Sequence, residues 1–377
     1  MGILQKMVPI LFKVDPKNTE SKQRQIARVE VAIGQLEELE DAQYREQGIQ
    51  DLNAQIKDIE EAFANNELDY GRKLYLIENC IYGVDIQSIA TQISKLRFFI
   101  SLVVDQRIDP SKDNFGIRPL PNLETKFVAA NTLIGVEKPK AQLSLFDTPE
   151  IKKLETDLKK VRHHLFSSKS PSHKRKLRDQ DKALREQIAA VLQKNGWKSD
   201  TANQLANWDP YNLNDSAGFF DSEWMFDISD GFDVVIGNPP YGIRFNKQDE
   251  KTLINIFTTA KKVPDSYCFF ILKGLDLVKN NSNLTYIIPN TFCDLEKGDG
   301  FRNSLLRKYR LKHIFQSGWD FESAIVDTLI LFLAKSNTKN STVKIKIDLQ
   351  EYERQISDFL DDPLVKSTTE IHQQLTI

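Results

Sequence analysis

The chain has 377 residues, 40% of them hydrophobic and 28% charged, with a net charge of −2. That composition fits one sizeable α/β domain with an accessory piece and excludes a collagenous or wholly disordered chain. A near-neutral balance also excludes a globally basic nucleic-acid binder, so any DNA contact must come from local patches. No apolar run reaches the length of a membrane span and no signal-peptide pattern opens the chain, so a cytoplasmic protein without membrane contact is expected. Cys80, Cys268 and Cys293 lie far apart without paired-ligand spacing, and predict buried, reduced thiols rather than a metal site.

In chain order, Ile3 to Val14 is apolar with helical bias and stops before Asp15-Pro16. Residues 19–66 are charged, rich in Gln and Glu and nearly free of Gly and Pro. Leu52, Ile56, Ile59 and Phe63 fall at helical spacing, which predicts a solvated helical hairpin. Ile81 to Ile86 then reads as a buried strand ending at Asp85, with a helix from about Ser88 to Val104. A carboxylate at that strand end can accept from both hydroxyls of a ribose or cap the following helix. Lys126 to Ala130 predicts a short strand that ends at Asn131-Thr132, where an ordinary turn asparagine is the simplest reading.

A second charged helical insertion spans about 148–196, with Ile151, Leu154, Leu158, Val161 and Leu165 on one helix. Leu177, Leu184, Ile188 and Val191 lie on the return helix. The basic turn between them, Ser167 to Lys176, reads as a solvated loop or as a phosphate-contacting tip. His163, His164 and His173 show no partner pattern and are expected at the surface.

The stretch Phe232-Asp-Val-Val-Ile-Gly-Asn-Pro-Pro-Tyr241 is the most informative. Asp233 to Ile236 is a β-branched run that reads as a buried parallel strand. Gly237 and two prolines stop it, leaving Asn238 and Tyr241 at the carboxyl end, where open α/β sheets bind ligands. Asn238 offers an amide oxygen, and Pro239, lacking an N–H, offers only its carbonyl. Two adjacent acceptors can hold an exocyclic amino group, and Tyr241 supplies a face for a planar base. A plain Asn-Pro turn is the competing reading. Beyond it come a helix over 265–278, a strand over 283–289, a helix over 301–309 and strands over 311–317 and 328–334. The last two suit an antiparallel hairpin. Residues 336–377 read as a polar tail.

On these residues the chain resembles the adenine-N6 DNA methyltransferases, and more closely the methylase portion of the large single-chain, type IIG-like restriction–modification enzymes. The matching motifs are Tyr82 to Ile86, Trp208-Asp-Pro-Tyr211, Phe219 to Phe226 and Gly231 to Tyr241, and the likeness runs from the first residues to about Lys335. It implies a class I S-adenosylmethionine-dependent methyltransferase sheet, Rossmann-like and mostly parallel with a C-terminal antiparallel hairpin, as a catalytic domain over 1–335. It also implies S-adenosyl-L-methionine as cofactor, bound by Asp85, Ile86, Asn131 and Thr132. Double-stranded DNA is the implied substrate, with catalysis by Asn238, Pro239, Pro240 and Tyr241. A flipped adenine would stack on Tyr241 and Phe321, the latter also readable as a core residue of the hairpin turn.

The family carries a glycine-rich cofactor loop immediately before the first helix and a target-recognition domain after the sheet, and neither matches here. The chain therefore also reads as an inactive remnant, or as half of a split enzyme needing a partner chain for the N-terminal part or for target recognition. Because the acceptor nitrogen is chemically alike, protein-glutamine or RNA amino-methylation is a further reading.

Overall fold

The computed structural model describes residues 2–16, 19–37, 42–64, 68–106, 108–111, 113–117, 123–137, 148–168, 170–260, 265–294, 299–316, 327–336, 342–347 and 350–355. They fall into two compact units, Met1–Asp227 and Ile228–Ile377.

In the first unit, α1 (Gly2–Val14), α2 (Thr19–Glu37), α3 (Ala42–Ala64) and α4 (Leu68–Asn79) precede β1 (Gly83–Asp85). Then come α5 (Ser88–Val103), β2 (Phe127–Ala129), α6 (Pro149–Ser167), α7 (Pro171–Lys194), α8 (Ser199–Asn207) and α9 (Ser222–Phe226). β1 and β2 pair in parallel, Asp85 opposite Ala129. Leu4, Ile77, Ile81, Phe98, Leu102 and Phe127 form one core among α1, α4, α5 and β2. Val29, Ala32, Leu52, Ile59, Leu165 and Leu177 form another. The two helical insertions, more than 80 residues apart in sequence, thus share a core instead of standing separately in solvent. His164 is accordingly buried, against the expectation of a surface histidine. The helix starts follow local rules. Thr148 and Ser170 cap α6 and α7, accepting from the Ile151 and His173 amides, and each is followed by proline. The second cap shortens the basic turn, placing its residues from Pro171 onward in helix.

The second unit contains β3 (Phe232–Gly237), α10 (Lys247–Ile256), α11 (Ser266–Leu277), β4 (Val278–Pro289), α12 (Thr291–Asp294), α13 (Asp299–Lys308), β5 (Arg310–Gln316), β6 (Thr328–Ala334), β7 (Thr342–Ile347) and β8 (Gln350–Gln355). They build one sheet in the order β3-β4-β6-β5-β7-β8. β3 runs parallel to β4, and β6 lies antiparallel between β4 and β5, as expected of the terminal hairpin. The fold is α/β, with parallel pairs and that antiparallel hairpin.

Three expectations need correction. β3 is not a buried strand. Among the described residues it sits at the sheet edge, paired with β4 alone, and Val234 and Ile236 are 57% and 49% exposed. The stretch after Lys335 is not all polar tail, because β7 and β8 extend the sheet with β7 parallel to β5. The alternation of Val343 and Ile345, both buried, with Lys344 and Lys346 is the period-2 signal of that strand. Cys80 is exposed, against the expectation of a buried thiol, whereas Cys268 and Cys293 are buried. Among the described residues no helix is long and apolar enough to cross a membrane, and no cluster of ligating side chains could hold a metal.

Candidate functional site

The first unit brings Asp85, Ile86, Asn131 and Thr132 to the same end of a parallel strand pair. Ala130 N–H donates to the Asp85 carbonyl at 2.8 Å, which aligns the two strand ends. Asp85 is exposed, and its Oδ1 accepts from Gln87 N–H at 2.8 Å. The side chain therefore shapes the entry to α5, whose own N-cap position, Gln87, contributes no side-chain bond. Asn131 Oδ1 accepts from Leu133 N–H at 3.2 Å, while its backbone N–H donates to the Ala217 carbonyl at 2.9 Å. Ile86 is exposed and Thr132 half-buried.

Ala217 lies on the segment that follows Trp208-Asp-Pro-Tyr211, and that segment is anchored by a buried charge network. Asp181 is fully buried. Its Oδ1 accepts from Arg162 Nε at 2.9 Å and its Oδ2 from Arg185 Nε at 2.7 Å. Tyr211 Oη donates to the same carboxylate at 3.2 Å. The guanidiniums reach onward: Arg162 to the Trp224 carbonyl at 2.8 Å, and Arg185 to the carbonyls of Ala206 and Trp208. Burial by itself would raise the Asp181 pKa, but the two guanidiniums outweigh it and hold the carboxylate below its ordinary range. Burial, reinforced by Asp181, pushes the Tyr211 phenol up, so it stays a protonated donor. In sequence Asp181 and Arg185 look like a solvated i,i+4 pair, and only the carbonyls they meet disclose the role. Beside this end of the unit a cavity of about 200 Å³ is lined by Thr91, Lys95, β2 and residues of the segment 207–219. Neither Asp85 nor Asn131 lines it, so it flanks the strand ends.

In the second unit the Asn-Pro-Pro-Tyr turn sits at the carboxyl end of β3, as its sequence predicts. Pro239 is buried, Asn238 and Pro240 are exposed and Tyr241 is half-buried. The turn is pinned from the start of α11. Gly242 N–H donates to Asp265 Oδ1 at 2.9 Å, and Ser266 Oγ donates to the Pro240 carbonyl at 2.6 Å. Asp265 occupies the N-cap position of α11 yet caps no backbone N–H of that helix; its Oδ1 accepts from Ser266 Oγ at 3.3 Å and from the Gly242 N–H of the turn. Gly242 has φ +70°, a region open to glycine at little cost. A Cβ at Gly237 would lie 3.1 Å from the Tyr286 ring on β4, so that ring would have to give by a few tenths of an ångström. Sequence reading overlooked Asp265 and Ser266, although an Asp-Ser pair before an apolar helical run is an N-cap signature that marks them. Phe321 lies outside the described residues.

Residues 79–323 match the family model for the Eco57I restriction-modification methylase. A putative type II restriction enzyme and methyltransferase from Methanocaldococcus jannaschii is 27% identical over 354 residues, covering 80% of this chain and 30% of that protein. The type II restriction enzyme and methyltransferase Eco57I of Escherichia coli is 34% identical over 123 residues, covering 30% of this chain and 12% of that protein. The chain therefore spans less than a third of the length of these relatives. Among solved structures, the type IIL restriction-modification enzyme MmeI in complex with DNA aligns with 78% of this chain and 37% of its own, at 12% identity and a TM-score of 0.36. A likeness that weak carries no argument, and the family match stands without it. That match covers both strand ends and every candidate site residue, and on it the chain belongs to the Eco57I restriction-modification methylase family.

Proposed function

We propose that this chain is the catalytic part of a site-specific DNA methyltransferase of a restriction–modification system, acting on adenine N6 with S-adenosyl-L-methionine. The observation that carries this reading is the Asn-Pro-Pro-Tyr turn at the end of a parallel strand, held in shape from α11 while Asn238 itself stays exposed. Bound S-adenosyl-L-methionine supplies an electrophilic methyl group. The residues fit it: an exposed carboxylate at Asp85 suits ribose hydroxyls, exposed Ile86 offers an apolar face, and the Asn131 amide suits the edge of a purine. Adenine in a duplex must leave the stack to be reached, at a cost of a few kcal/mol that contacts to the base offset. Tyr241 gives the flipped base a face. Asn238 Oδ1 and the Pro239 carbonyl accept from its amino group, orienting the nitrogen and drawing electron density onto it.

Transfer of a labelled methyl group to adenine-containing duplex DNA tests the reading. Asn238→Ala should lower transfer by about a hundred- to a thousandfold, the scale for removing one preorganised polar contact, with cofactor binding kept. Asp85→Ala should weaken that binding instead. Transfer to RNA or a glutamine peptide but not to DNA would sink the DNA assignment.

A second reading is favoured by the free edge of β3, with Val234 and Ile236 exposed on an apolar parallel strand. In it, a further polypeptide lays a parallel strand with a glycine-rich cofactor turn along such an edge, and the chain is active only with it. No calorimetric signal with the cofactor from the chain alone, restored by a chain carrying that strand, would favour this reading over the first.

A further inference from the structure

Tyr286, on β4, is met by glycine on two sides. In the ladder it lies opposite Gly237, the last residue of β3, with Leu331 of β6 on its other flank. A Cβ at Gly237 would meet its ring at 3.1 Å, and one at Gly274 of α11 would meet its hydroxyl at 2.6 Å and its Cζ at 3.0 Å. Tyr286 is 7% exposed, so its side chain fills the gap between the end of β3 and the body of α11. Those are the two supports of the Asn-Pro-Pro-Tyr turn. Asn238 continues from Gly237, and the head of α11 holds Pro240 and Gly242 through Ser266 and Asp265.

The Tyr286 hydroxyl makes no hydrogen bond among the described residues, and burial alone pushes the phenol's pKa up. A hydroxyl taken from water without a bond costs stability. Phenylalanine would therefore serve this core better unless the extra length has a use, and the length is what reaches α11. The ring is rigid, and close-packed interiors pass a displacement on instead of absorbing it. Moving its hydroxyl end at Gly274 thus tilts it against Gly237.

We propose that Tyr286 is a positioning residue for the Asn-Pro-Pro-Tyr turn, a wedge between Gly237 and Gly274 whose length fixes where Asn238 and the Pro239 carbonyl stand. Its part in methyl transfer rests on the function proposed above, whereas its hold on the turn does not. Gly274→Ala adds a methyl against the hydroxyl, and Tyr286→Phe removes the hydroxyl. In the whole chain each should raise amide exchange at Gly242 by about two- to tenfold, the protection that one exposed hydrogen bond gives, with the amides of β6 unchanged. The double variant should return to near the wild-type rate, because the methyl takes the place of the hydroxyl. The added methyl would also meet Leu284 Cδ1 at 2.7 Å, in either background, so the difference between backgrounds reports on Tyr286. Methyl transfer to adenine-containing DNA should fall about tenfold in each single variant and recover in the double, at unchanged affinity for S-adenosyl-L-methionine.

Exchange changes that simply add in the double variant, that spread to β6 or that do not occur would overturn the proposal. If Gly274→Ala does not fold, Gly237→Ala, which asks the ring for only a few tenths of an ångström, takes its place. A rise at Gly242 is then expected, and an unchanged rate would overturn the proposal. The expected exchange pattern in a chain that transfers no methyl group to DNA would count against the proposed function and leave the wedge standing.

Discussion

The two strand ends that carry the candidate residues are held in different ways. In the second unit the Asn-Pro-Pro-Tyr turn is held directly, by one hydrogen bond each to Asp265 and from Ser266 at the head of one helix. In the first, Asp85 and Asn131 each turn a side-chain oxygen onto the backbone N–H two residues on, and outside support comes at one remove. Asn131 leans on Ala217, whose segment is anchored through Trp208 and Tyr211 to Asp181 inside the second helical insertion. Exposed local bonds contribute little each, whereas a buried, multiply bonded carboxylate is costly to remove. The difference teaches that the insertion, which looks like decoration, is the frame of one strand end, while the other end needs only its neighbouring helix.

Removing Asp181 should have the largest effect. Asp181→Ala strands two buried guanidiniums and should cost about 3–5 kcal/mol, seen as a drop in the denaturant midpoint. A cost under about 1 kcal/mol would mean the network is not the frame described. Acid should reach the same carboxylate next. Its folded pKa lies below the ordinary value of 3.8, so its contribution is complete above that value and is lost as pH falls through the folded pKa. Urea titrations from about pH 4 downward should show this loss in the wild type and not in Asp181→Ala.

Asp265→Ala frees an exposed backbone N–H and should cost only about 1 kcal/mol of stability. Methyl transfer should nevertheless fall by about tenfold through misplacement of the turn, with cofactor affinity unchanged. Equal stability losses for Asp265→Ala and Asp181→Ala would erase the contrast between the two ends. The smallest effect belongs to Ser266→Ala, about 0.5 kcal/mol, measurable as a small shift in the thermal midpoint.

The sequence by itself determined the local pieces. The β-branched run before Gly237, read as a strand, and the prolines that end it are legible because their causes lie within a few residues, whereas the Ser170-Pro171 helix start, equally local, reads in sequence as part of the basic turn. The helices of both insertions follow from apolar spacing for the same reason. What only the tertiary structure decided depends on neighbours far along the chain. The shared core of the two insertions joins Leu52 to Leu177, and Asp265 turns from the amides of its own helix to Gly242. Asp181 is buried between Arg162 and Arg185, whose guanidiniums reach carbonyls more than 20 residues along the chain. Val234 and Ile236 carry the pattern of a buried strand, and their exposure follows from which strands pair beside them. Periodicity records what a residue prefers, and pairing decides what covers it.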